Sequence, residues 1–78
     1  MMDGYNTTEN GEIKKEIDTL RVLLAHWIEH NRSHEENFRS WVEKSRRLGK
    51  IEASRMIEKA ADALKAASDF LLEAKRHI

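Results

Sequence analysis

The sequence predicts an all-α fold: an antiparallel helical hairpin, with helices over about 12–48 and 51–77, that pairs as a homodimeric four-helix bundle. Three observations predict it. Apolar residues from Ile13 onward recur in alternating steps of four and three, that pattern loses its phase at Gly49, and the segment beyond Gly49 carries alanine at every seventh position. A chain of 78 residues has room for one core only, and it has no cysteine with which to staple it. Domains of this size lean on disulfides, metals or association, so a metal or a second copy is left as the support.

Residues 1–11 (MMDGYNTTENG) have no apolar period and contain two glycines and several side chains that compete for backbone hydrogen bonds. They read as a disordered leader to a single helical domain over 12–78. From there apolar positions fall at Ile13, Ile17, Leu20, Leu24, Trp27, Phe38, Trp41 and Leu48. The same alternation carried through the gap lands on Asn31, His34 and Ser45, so the heptad seam keeps its phase across a polar patch. A continuous first helix follows. The alternative is a three-helix bundle broken near Ser33, where Ser33-His34-Glu35-Glu36 fits a capping box.

Extending the first seam beyond Leu48 would bury Glu52, Arg55, Lys59 and Asp62, which is untenable. The chain therefore turns at Leu48-Gly49-Lys50, glycine supplying the left-handed cap. The second helix presents Ala53, Ile57, Ala60, Leu64, Ala67, Leu71, Ala74 and Ile78. Pairing residues whose numbers sum to about 98 sets Phe38 against Ala60, Trp41 against Ile57 and Leu24 against Ala74, large against small as volume filling requires. Both tryptophans are thereby expected in the hairpin core. Met56, Ala63 and Phe70 form a further stripe, and Val22, Leu23, Ile28 and Val42 widen the first helix's apolar face. One partner helix does not cover so wide a stripe, hence the expected homodimer.

His26, His30 and His34 stand at four-residue intervals, and His30 is one turn from each of the others. Neighbours in such a row share a helix face, as in helical zinc motifs, because four residues advance the face by only about 40°. The outer pair lie about 12 Å apart along the axis, so the site is expected to use adjacent histidines, completed by a carboxylate such as Glu29, water, or histidines of a second copy. Imidazole and carboxylate ligands suit zinc, nickel, copper or iron. The competing explanation is structural: Asn31 and His34 occupy seam positions, where a polar residue fixes register and oligomeric state.

The run Leu23-Leu24-Ala25-His26-Trp27-Ile28-Glu29-His30-Asn31, with His34, Phe38 and Trp41 downstream and an Ala/Glu-rich second helix, resembles a small uncharacterised prokaryotic helical-hairpin domain. That domain is sometimes fused to a nickel-binding accessory protein of carbon monoxide dehydrogenase maturation. The resemblance spans residues 20 to 76. It implies a metal-handling context, with His26, His30 and His34 as the matching residues.

Composition narrows the remaining classes. Lys+Arg and Asp+Glu number 14 each, so no global field favours nucleic acid or a membrane surface. Glu35/Arg39, Glu43/Arg47, Glu12/Lys15, Asp62/Lys65 and Glu73/Arg76 are spaced to pair along exposed helix faces. No signal peptide or membrane span is readable, making a cytoplasmic location the default. There is no Glu-x-x-His di-iron motif, glycine-rich phosphate loop or nucleophile triad, so no enzymatic activity is expected. Two functions stay open: a bundle that binds nickel or zinc through the histidine row in a metal-handling role, or a non-catalytic module for homo-oligomerisation or docking of a protein partner.

Overall fold

A computed structural model describes the backbone of residues 2–78 and the side chains of 10–78. The chain is two antiparallel helices, α1 (Met2–Arg47) and α2 (Ile51–Arg76), with no strand among the described residues. The leader expected over 1–11 falls chiefly on residues whose side chains lie outside those described. α1 passes through Arg32-Ser33 without a break, so the three-helix alternative is set aside in favour of the hairpin.

The turn is built as the sequence predicts. Gly49 has φ +79°, its N–H donates to the Arg46 carbonyl at 3.0 Å, and the Lys50 N–H donates to the Ser45 carbonyl at 2.9 Å. These two bonds are the Schellman pattern, which satisfies the last carbonyls of α1 and needs a left-handed residue where glycine stands. Lys44, Arg46 and Arg47 occupy the last turn of α1, where the helix dipole favours cations.

Register also agrees. The Ser54 hydroxyl donates to the Val42 carbonyl at 2.7 Å, Arg39 reaches Asp62 at 3.1 Å, and Arg21 donates to the Ile78 carbonyl at 2.9 Å. α2 therefore ends alongside Arg21. α1 continues beyond it, and the molecule is a rod of 71 × 15 × 14 Å.

The faces that meet differ from the expectation by one heptad row in each helix. On α1 the covered positions are Leu24, Ile28, Asn31, Glu35, Phe38, Val42 and Ser45, and on α2 they are Ser54, Ile57, Ala61, Leu64, Ala67, Ser68 and Leu71, with Ile78 just beyond its end. Each helix keeps one expected row, Leu24/Asn31/Phe38/Ser45 and Ile57/Leu64/Leu71. The other expected row of each, Trp27/His34/Trp41/Leu48 and Ala53/Ala60/Ala67/Ala74, is exposed apart from half-buried Ala67. Trp27 is 41% and Trp41 46% exposed, so the core placement of the tryptophans is corrected. The reason is close approach: Ser54 and Ala61, 1% and 0% exposed, let α2 come near enough to α1 for a side-chain to main-chain hydrogen bond, a gap that an indole does not fit.

Candidate functional site

Helical periodicity assigns the two flanks of the hairpin opposite characters. On one flank α1 carries Arg32, Arg39 and Arg46, beside Glu29, Glu36 and Glu43, and α2 carries Glu58, Asp62, Lys65 and Asp69. Arg39 ties this side together, bonding Glu35 at 2.9 Å and Asp62 at 3.1 Å. Those two hydrogen bonds, Glu35 foremost, raise the Arg39 pKa above its ordinary value. Asp62 was expected to pair with Lys65; instead Lys65 bonds Asp69 at 3.2 Å. Likewise Arg46, rather than Arg47, takes Glu43 at 2.9 Å.

The other flank is apolar and open. α1 contributes Leu20, Leu23, Trp27, Trp41 and Leu48, all exposed, and α2 contributes the alanine row with Met56 and Phe70 beyond it, Phe70 being 76% exposed. Phe38, Met56, Ile57 and Ala60 line a shallow depression between the two helices on this side. A second depression lies along α1 between Trp41, Lys44, Arg47 and Leu48, with the Lys44 ammonium 4.7 Å from the Trp41 ring centroid. On α1 the open positions themselves form a seam in steps of three and four: 20, 23, 27, 30, 34, 37, 41, 44, 48. α2 covers the other seam of α1 and leaves this one open.

The middle of this second seam is polar, and it holds the histidines. His30 and His34 meet with Nε2 atoms 3.1 Å apart and rings nearly perpendicular, at 84°. Without an ion the pair is satisfied as one N–H···N hydrogen bond. His34 also touches Phe38, ring centroids 5.9 Å apart. His26 stacks on His30 at 6.1 Å between centroids and 22° between planes, so it is a neighbour in the row and not a third convergent nitrogen. Glu29 is drawn to Arg32 at 3.6 Å. Of the four expected site residues, then, His30 and His34 come together, while His26 and Glu29 stand aside. Among the described residues no three His, Cys, Asp or Glu side chains converge on one point. Trp27, Trp41, Met56 and Phe70 belong to the site as walls of the open face; the signal for them was the surplus of apolar rows over what one partner helix covers.

A family model described as a domain of unknown function (DUF8180) matches residues 20–78. The matched segment is the hairpin itself, from the level where α2 ends beside Arg21. Comparison with curated proteins and with solved structures returned no match.

Proposed function

The chain belongs to this DUF8180 family of domains of unknown function, and we propose that it works as a non-catalytic self-association module, two hairpins packing by their open faces into a four-helix bundle. The observation that carries the reading is the exposure of Trp27, Trp41, Leu48, Met56 and Phe70 on one face, which outweighs that of Val22, Ile51 and Leu72 on the charged side, in a hairpin whose only buried apolar residues, among those described, are Leu24 and Ala61. A two-helix seam this thin does not offset the entropy of ordering the chain. A second copy covers the face with matching chemistry. With 14 basic and 14 acidic residues two copies meet without net repulsion, and the charged flanks stay outward in water. The two tryptophans alone leave about 200 Å² open per chain, taking about 250 Å² for a whole indole side chain. Adding Leu20, Leu48, Met56 and Phe70 brings the paired area above the ~1,000 Å² that specific interfaces need.

No helix among the described residues is long and apolar enough to cross a membrane, so the face is not read as part of a spanning segment. Sedimentation velocity between about 1 and 100 µM tests the module. Wild type should run at twice the chain mass, and Trp27→Glu/Trp41→Glu as a folded or partly folded monomer. A wild-type monomer throughout that range would sink the reading.

A second reading has its own observation. The 3.1 Å approach of His30 to His34 favours a bundle that holds a divalent ion, nickel or zinc, in a metal-handling role.

A further inference from the structure

Resting on the self-association reading, we infer that His30 and His34 are half of a metal site that a second copy completes, four imidazoles closing on one divalent ion at the two-fold axis. The first ground is distance. With metal–nitrogen bonds of about 2.0–2.1 Å, two ligands sit about 3.3–3.4 Å apart on a tetrahedron and about 3.0 Å apart on adjacent octahedral corners. The two Nε2 atoms are 3.1 Å apart, so the pair is already at chelating distance, and turning the rings to aim both lone pairs at one point completes the chelate. It needs only the tautomers that carry hydrogen on Nδ1 and leave both Nε2 lone pairs free.

The second ground is ligand number. One chain offers two nitrogens. His26 is stacked beside the pair, Glu29 is engaged by Arg32, and no third group joins them among the described residues. A structural site with nitrogen ligands ordinarily takes four.

The third ground is where the pair stands. Along the open row of α1 the residues are Leu20, Trp27, His34, Trp41 and Leu48, the same types at equal offsets on either side of His34. On α2 large apolar residues also stand at equal offsets, Met56 and Phe70 seven residues either side of Ala63, though of different types. α2 accompanies α1 from Arg47 at the turn to Arg21 at its end, and residue 34 is midway between 21 and 47. Two hairpins laid antiparallel with full overlap therefore place His34 at the axis. At full overlap Trp27 of each copy meets Trp41 of the other and His30 meets Asn37; moving the axis by about two residues, ~3 Å, toward His30 sets the two His30/His34 pairs face to face and leaves the tryptophans within one helical turn of each other. An isologous contact of this kind doubles every ligand that lies near its axis. Two copies related instead by an axis along the helices would set the tryptophans on the alanine row and hold the pairs apart.

The test is a calorimetric titration of Zn²⁺ into chelator-stripped, tag-free full chain, with sedimentation velocity on the same samples. One Zn²⁺ should bind per two chains; His30→Ala and His34→Ala should each weaken binding by about tenfold or more, and His26→Ala should leave it unchanged. One ion per chain, no uptake, or equal uptake by the His30→Ala/His34→Ala variant overturns the shared site. A dimer that takes up no zinc overturns the site and leaves self-association standing. A monomer at every zinc concentration overturns both. A dimer that forms only with zinc upholds the shared site and overturns association by the apolar face alone.

Discussion

Replacing Trp41 with alanine removes the largest side chain on the turn-proximal half of the open face. Trp41 is 46% exposed in the lone hairpin, so about 115 Å² of indole is open per chain and about twice that per dimer, taking about 250 Å² for the whole side chain. At about 25 cal/mol per Å² this is a ceiling of ~6 kcal/mol per dimer. Alanine retains the Cβ, and interface area converts to affinity only in part, so about half is the working figure, ~3 kcal/mol, or about a hundredfold in the dimer Kd. The Lys44 ammonium over the Trp41 ring is lost in monomer and dimer alike and does not enter the difference. The assay is sedimentation equilibrium over a dilution series, with circular dichroism confirming that the helices persist. Val22→Ala is the control: Val22 is 68% exposed but shares its row with Glu29, Glu36 and Glu43 on the charged side, and its removal should leave the Kd unchanged. A Trp41→Ala dimer within about threefold of wild type would refute the assignment of this face.

The hairpin seam and turn make three further predictions, each read from urea unfolding. Ser54→Ala leaves the Val42 carbonyl without its 2.7 Å donor and should lower stability by about 1 kcal/mol. Ala61→Leu forces a large side chain into a position that is 0% exposed and should cost about 1–3 kcal/mol; an unchanged midpoint would mean that the helices are not closely apposed there. Gly49→Ala meets no atom within 4 Å of the new Cβ, so its whole cost is the backbone at φ +79°, about 1–2 kcal/mol.

The hairpin was legible in the sequence because Gly49 and the phase change beyond it leave one solution: continuing the first seam would bury charge at Glu52, Arg55, Lys59 and Asp62. What pattern alone did not decide was which two rows of each wide face meet. Leu20, Trp27, Trp41 and Leu48 make a more apolar row than Ile28, Glu35 and Val42, and hydrophobicity chooses them for the hairpin. The structure chooses the second set, since Ser54 and Ala61 permit an approach too close for indoles and Glu35 has Arg39 to bond at the seam's edge. The histidine row divided for a related reason. Sequence spacing treats His26/His30 and His30/His34 alike, whereas side-chain rotamers join the second pair at nitrogen and stack the first ring on ring.

Both tryptophans of the chain are on the open face, so the whole indole fluorescence reports on whether that face is covered. Acrylamide quenching at about 100 µM protein is therefore the most direct measurement of the central claim. Pairing of two copies predicts emission shifted to the blue and strongly protected from quencher, with protection lost on dilution below the dimer Kd. Quenching at high concentration as efficient as in the urea-unfolded chain would contradict it.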